Sequence, residues 1–163
     1  MTVPAATTTI PAADRYIRPD RFTEKVMNPL VRWCARHGIS LLGSRELALV
    51  GRRSGQVRTN VVNVLDHDGA RYLGAPRGTT EGVRNLRAAG GGELCLGRRV
   101  KAFAATELTD ADKLPVLREY LRRWGWEVGQ FFEGVDKTST DDELEAIAPG
   151  FPVFALAGVR AGR

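Results

Sequence analysis

Leu47-Ala48-Leu49-Val50, then Gly51-Arg52-Arg53-Ser54-Gly55-Gln56-Val57-Arg58-Thr59-Asn60, then Val61-Val62-Asn63-Val64-Leu65: the reading of this stretch decides the fold. Its outer parts are short apolar runs of Val, Leu and Ala, bounded by glycine, which is the pattern of strands. The centre carries three guanidinium groups and several small hydrogen-bonding side chains between glycines, and reads as a hairpin turn. Such a turn suits an anion. Glycines let backbone N–H groups come close, and arginine forks match phosphate or carboxylate oxygens.

The 163 residues suffice for one domain with a substantial core. The net charge of +5 is unevenly placed. From Arg45 to Lys101 eleven Lys/Arg stand against five Asp/Glu, a balance of +6, and the remainder carries −1. The positive field therefore surrounds the arginine turn and favours an anionic partner, although a merely solvated basic surface would give the same count. Nucleic acid is disfavoured as that partner. A single-strand binder interleaves exposed aromatics with its basic residues. Here Tyr72 and Phe103 fall at strand positions, and most other aromatics lie in the acidic C-terminal half. Cys34 and Cys95 sit in apolar surroundings without C-x-x-C spacing, so they read as reduced core residues, with no disulfide or metal signature. Residues 1–19 lack the apolar core of a signal peptide, and no run approaches the roughly 20 apolar residues of a membrane helix. A cytoplasmic protein is expected.

Upstream of the turn, residues 1–19 are rich in Thr, Ala and Pro and read as a flexible tail. A helix is expected from Asp20 to His37, with Phe22, Val26, Leu30, Trp33 and Cys34 as one apolar stripe and a kink or split at Pro29. It covers a face of the core. Alternatively, with its basic side (Arg21, Lys25, Arg32, Arg36), it makes peripheral membrane contact or encloses a lipid-like substrate.

Downstream, His67-Asp68-Gly69 is a second turn signal, and Arg71-Tyr72-Leu73-Gly74-Ala75 a third strand. Thr79 or Thr80 caps a short helix over 81–89, which Gly90-Gly91-Gly92 ends. Residues 93–96 and 100–106 form another hairpin about Gly97-Arg98-Arg99. Thr109 opens a further helix with Leu114, Leu117, Tyr120, Leu121 and Trp124 at helical spacing, and Ser139 or Thr140 opens another. Phe151-Pro152-Val153-Phe154-Ala155-Leu156 closes the chain as a sixth strand, before a tail at 159–163. The expected class is α+β, mainly β: one domain over 20–158, with six antiparallel strands in a small barrel and helices at its start, middle and end. Closure of the barrel would remove exposed sheet edges.

In this order and spacing the motifs resemble the deazaflavin-dependent nitroreductase family, a split β-barrel fold similar to the FMN-binding split barrels. The resemblance runs from about Thr23 to Leu156. It is carried by Gly51-Arg52-Arg53-Ser54-Gly55 with Arg58, by Asp68-Gly69 with Tyr72-Leu73, by Ala75-Pro76-Arg77-Gly78, by Arg84-Asn85-Leu86-Arg87-Ala88 and by Pro152-Val153-Phe154. It implies coenzyme F-420 as cofactor, with FMN as the alternative, and hydride transfer to an electron-poor quinone, nitroaromatic or activated enone. Residue by residue, it implies that Arg52, Arg53, Ser54 and Arg58 grip the cofactor's phosphate and oligoglutamate tail, with Thr59 and Asn60 continuing that wall. Ala75, Pro76, Arg77 and Gly78 would hold the deazaflavin ring, and Val83, Arg84 and Asn85 would close its pocket. The family usually has a bulky aromatic near the start of the inserted helix, and Gly82 stands there in this chain. That departure leaves the ring less covered or the substrate pocket larger.

The residues themselves display no catalytic cluster, which suits chemistry carried by a cofactor. His37 and His67 fall at a helix end and a turn tip, and no Ser-His-Asp or Cys-His order is evident. Tyr120 is the one side chain nominated as a proton donor, against the plainer reading of a packed helix residue. Trp124, Trp126, Phe131 and Phe132 are either core or, together with the gap at Gly82, an apolar wall for a flat substrate. The expected partner is a small-molecule substrate, and the expected assembly a monomer or homodimer. A rival of another class is a non-catalytic binding protein for F-420, flavin or a lipid-like ligand.

Overall fold

The computed structural model describes Tyr16, residues 44–128, Phe132 and residues 134–158, with the side chains of 126–128 excepted. The helix expected over 20–37, Cys34, the C-terminal tail and the N-terminal tail apart from Tyr16 lie outside the described residues.

Six strands form a closed antiparallel barrel: β1 (Ser44–Val50), β2 (Val57–His67), β3 (Ala70–Gly74), β4 (Gly91–Leu96), β5 (Arg99–Glu107) and β6 (Val153–Ala157). Their order around the barrel is β1-β2-β3-β6-β5-β4, with β4 returning to β1. Three helices complete the described chain: α1 (Glu81–Ala89), α2 (Leu114–Val128) and α3 (Asp141–Ile147). None of the described helices is long and apolar enough to cross a membrane.

Turn chemistry explains the hairpins. Asp68 and Gly69 both have positive φ (49° and 75°), the left-handed pair that a two-residue hairpin turn requires. Val50 pairs with Val57, so residues 51–56 form the loop between β1 and β2, as the sequence indicates. Helix α1 starts at Thr80, whose hydroxyl accepts from Val83 N–H (3.2 Å). It ends at Gly90 in the left-handed conformation, with the Gly90 N–H donating to Leu86 O. Here the structure corrects one expectation. Only Gly90 stops the helix, whereas Gly91 and Gly92 belong to β4. A Cβ on Gly91 would stand 2.2 Å from Phe103 O, and one on Gly92 2.6 Å from a Leu49 methyl, so the barrel wall closes over bare backbone. Thr109 precedes a 3₁₀ turn over Asp110–Lys113, but its hydroxyl donates to the Asp112 carboxylate instead of capping backbone N–H. Thr140 and Glu143 form a reciprocal capping box that opens α3.

Strand alternation sorts the apolar residues into two cores. Leu47, Leu49, Val64, Leu73, Leu94, Phe103 and Phe154 point into the barrel, and Val83 and Leu86 of α1 plug one end. Outside the wall, Leu65 and Val153 meet Val116, Leu117, Tyr120, Leu121 and Trp124 of α2, together with Phe132, Leu144 and Phe151. One face of the barrel is thus covered by a helical layer.

Candidate functional site

The rim of the barrel at the α1 end collects most of the residues singled out from the sequence. Two turn hydrogen bonds, Gly51 N–H to Gln56 O (2.8 Å) and Gly55 N–H to Gly51 O (2.9 Å), curl the 51–56 loop tightly. A Cβ at Gly51 would stand 2.9 Å from Ser54 Oγ and 3.2 Å from Gln56 O, so a side chain here would make Ser54 turn away and the Gln56 carbonyl give by a few tenths of an ångström. Arg58 and Asn60 lie opposite Leu49 and Leu47, on the face of β2 that turns inward lower down the barrel. At the rim both are exposed. Arg58 Cγ lies 3.8 Å from where a Gly51 Cβ would be, which sets the Arg58 stem against the turn.

Three side chains tie the turn to α1, and Arg84 braces one of them from within the helix. Arg52 donates its backbone N–H and its Nη1 to Asn85 Oδ1, both at 3.1 Å. Arg52 Nη1 also pairs with Glu81 Oε2 at 2.6 Å, and Arg84 Nη1 reaches Glu81 Oε1 at 3.2 Å. The Arg52 hydrogen bond holds the Glu81 carboxyl below its usual range. Arg53 and Arg58, by contrast, are exposed and make no hydrogen bond or salt bridge among the described residues, although the Arg53 charge adds to the lowering of the Glu81 carboxyl. The N–H groups of Glu81 and Gly82, in the first turn of α1, are likewise without partners there, as expected of a helix start. An anion at this rim would meet two uncommitted guanidinium groups and the positive end of a helix.

The 75–78 loop leads into the same helix. Ala75 N–H donates to Pro152 O (2.9 Å), Gly78 N–H to Ala75 O (3.0 Å), and Tyr16 bridges to Gly78. Pro76 and Arg77 are half-buried, and Thr79 is buried beside the capping Thr80. Gly82 has room around it. A Cβ there would meet Thr80 Oγ1 at 3.6 Å and Asn60 Nδ2 at 3.7 Å, ordinary contact distances.

Burial reassigns several residues. Val83, expected at the ring pocket, is 6% exposed inside the barrel core. Asn85 is 8% exposed, and its carbonyl oxygen is used by Arg52. Arg52 is committed to α1. Thr59 is half-buried on the outer face of β2. Of the expected site residues, Arg53, Ser54, Arg58, Asn60 and Arg84 remain exposed at the rim, beside Gly82 and the exposed Gln56 and Glu81.

The aromatic set lies elsewhere. Trp124 is 1% exposed in the helical layer, edge-on to Tyr120 at 4.9 Å between centroids, and Phe132 stacks on Phe151 at 4.3 Å. This corrects the substrate-wall expectation for Trp124, whose ring fills the core. Tyr120 is 6% exposed and presses on Gly74, where a Cβ would lie 3.1 Å from the ring. The gap lined by Tyr120, Gly74, Pro76 and Phe151 is about 10 Å3, room for about one water molecule and not for a ring substrate. Tyr120 is thus a packed residue behind the 75–78 loop. The Trp126 side chain and Phe131 lie outside the described residues. Among the described residues no group of three His, Cys, Asp or Glu side chains could hold a metal ion.

The residues that sequence reasoning missed are Glu81 and the Arg52–Asn85 pairing. An acid in the first turn of a helix beside an arginine-rich turn was the available signal. The 33-residue separation of Arg52 from Asn85 concealed the contact.

No protein-family model matches the chain, and no curated protein matches it. Solved structures do. The protein Atu2129, of unknown function, from Agrobacterium tumefaciens is 16% identical over 87% of this chain and 57% of its own, with a TM-score of 0.50. This chain therefore spans little more than half of that protein's length. A protein described as a domain-swapped dimer is 15% identical over 83% of this chain and 98% of its own, with a TM-score of 0.52. The haem storage protein HutZ from Vibrio cholerae is 12% identical over 82% and 90%, with a TM-score of 0.48. At such identities a structural likeness establishes the split-barrel fold and nothing finer.

Proposed function

We propose that the chain is an oxidoreductase that binds a phosphate-bearing flavin-type cofactor, coenzyme F-420, at the α1 rim and reduces an electron-poor small molecule such as a quinone, nitroaromatic or activated enone. One observation carries this reading: two exposed guanidinium groups, Arg53 and Arg58, neither in a hydrogen bond or salt bridge among the described residues, flank a glycine turn fixed to the start of a helix. A ligand with a phosphate and several carboxylates complements that arrangement through charge-assisted hydrogen bonds. The rim fits the anionic part of the cofactor. When bound, the reduced deazaflavin supplies the hydride. The chain's own contribution is orientation. Arg53 and Arg58 anchor the tail, the 75–78 loop borders the ring, and the space over Gly82 leaves room for a substrate. The described rim offers Arg84 and Asn60 as further polar contacts, and the reaction's proton comes from solvent.

Titration of the protein with oxidised F-420 and with FMN, followed by tryptophan fluorescence, tests the cofactor. Binding of F-420 in preference to FMN is expected, and tight FMN binding without F-420 binding would overturn the assignment. Turnover of reduced F-420 against quinones, nitroaromatics and enones then tests catalysis. Binding without any turnover would favour the second reading, a non-catalytic carrier. The open position at Gly82, which leaves a bound ring less enclosed, supports that alternative.

A further inference from the structure

Arg52 and Arg53 are adjacent, identical in chemistry and both within the arginine turn, yet they make different commitments. The Arg52 guanidinium is shared between Asn85 Oδ1 (3.1 Å) and Glu81 Oε2 (2.6 Å), and its backbone N–H is taken by the same Asn85 oxygen (3.1 Å). Both groups facing Asn85 are donors, so only its carbonyl oxygen can face them, and this fixes the amide orientation. An amide oxygen has two lone pairs, and both are used by one residue of the turn. Asn85 is 8% exposed, so breaking these bonds would strand a polar group that water hardly reaches.

We propose that Asn85, acting through the Arg52 backbone N–H, is a positioning residue for the anion site. This bond clamps the 51–56 turn to α1, so that Arg53 and Arg58 are presented outward beside the unpaired N–H groups of Glu81 and Gly82, and neither Asn85 nor the Arg52 guanidinium holds the ligand. Glu81 completes the clamp. It pairs with Arg52 and Arg84 and so keeps the helix start and the turn in register. The inference rests on the anion-site reading given above and deepens it, because it separates two arginines that the sequence cannot tell apart.

The test uses inorganic pyrophosphate and F-420 as probes, with amide hydrogen exchange as the structural readout. Arg53→Ala is expected to weaken both probes by about tenfold or more, the scale of a lost charge-assisted hydrogen bond, and to leave the exchange of the Arg52 amide slow. Arg52→Met keeps the backbone bond to Asn85 and is expected to weaken binding by no more than about threefold. Asn85→Leu, close to isosteric, is expected to speed exchange at the Arg52 amide by about tenfold or more while strand amides are unchanged, and to weaken both probes. Asn85→Asp retains an acceptor and is expected to keep the amide protected, so it serves if the leucine variant does not fold. The inference is overturned if Arg52→Met costs as much affinity as Arg53→Ala, or if loss of the Asn85 acceptor frees the turn without weakening either probe. If Arg53→Ala and Arg58→Ala both leave pyrophosphate and F-420 binding intact, the anion-site reading itself has failed.

Discussion

The rim at α1 and the helical layer over β2, β3 and β6 solve opposite problems. In the layer the core side chains are closed in: Trp124 is 1% exposed, Leu65 and Leu144 are fully buried, and Phe132 stacks on Phe151. At the rim, Arg53 and Arg58 stand in solvent without a hydrogen bond or salt bridge, and the first N–H groups of α1 are unmet, among the described residues. Burying aromatic surface is what stabilises a fold of this size, and leaving charge unpaired does nothing for stability. The difference teaches where to look for function. The layer holds the barrel in shape, and the rim is the region whose chemistry the fold does not itself use.

That contrast can be broken, and the largest effect should come from the layer. Trp124→Ala is expected to destabilise the protein by about 3–5 kcal/mol in denaturant unfolding, by cavity formation and lost contacts. Anion affinity of the folded fraction should hardly change. A variant of unchanged stability would return Trp124 to the list of substrate contacts. Next come Arg53→Ala and Arg58→Ala, each expected to lower F-420 affinity by ~1–3 kcal/mol while unfolding midpoints move little. Smaller still is Gly82→Ala. The available clearance and the helix position predict a gain of about 0.5–1 kcal/mol in stability, and a decrease instead would show that the backbone at 82 needs glycine. The smallest is a pH effect. The Glu81 carboxyl is held low by Arg52, so its contribution is present above the ordinary glutamate value of about 4.3 and is lost as pH falls through its lower folded value. The melting-temperature gap between the protein and Glu81→Gln should therefore be open at neutral pH and close on acidification below the ordinary glutamate range. A gap that widens in acid would mean that the bridge does not form.

The strands were legible because their causes are local. Val, Leu and Ala runs between Asp-Gly and glycine-rich turns mark hairpins, and α1 covers the expected 81–89, with Thr80 the cap of the two candidates and Gly90 alone of the three glycines its stop. Barrel closure was legible only as a consequence of six strands needing no free edge, and the place of β6 between β3 and β5 was not. That pairing joins residues far apart in the chain, which periodicity cannot see. The site was legible as a cluster of residue types but not as a division of labour. Sequence shows three equivalent arginines, and only the fold reveals that Arg52 faces Asn85. The same limit applies to Trp124 and Tyr120, whose helical spacing fits a core and a substrate wall equally well until their neighbours are known. Glycines mislead in the same manner: Gly91 and Gly92 resemble a helix stop but are required by the close approach of β1 and β5.

The position of β6 also sets the order in which the chain can be completed. Arg71–Gly74 and Ala104–Glu107 both wait for their neighbour in Val153–Ala157, the last of the six described strands to leave the ribosome. Until that segment arrives, β3 and β5 each present an open row of backbone donors and acceptors, and the nascent barrel is a curved sheet with two sticky borders. The hairpins can form early, since their contacts are short-range, but sealing requires bringing together ends separated by most of the described chain. A chain cut before Val153 would therefore lose more than one strand's worth of packing: it would be an adhesive sheet, prone to pairing with its own copies.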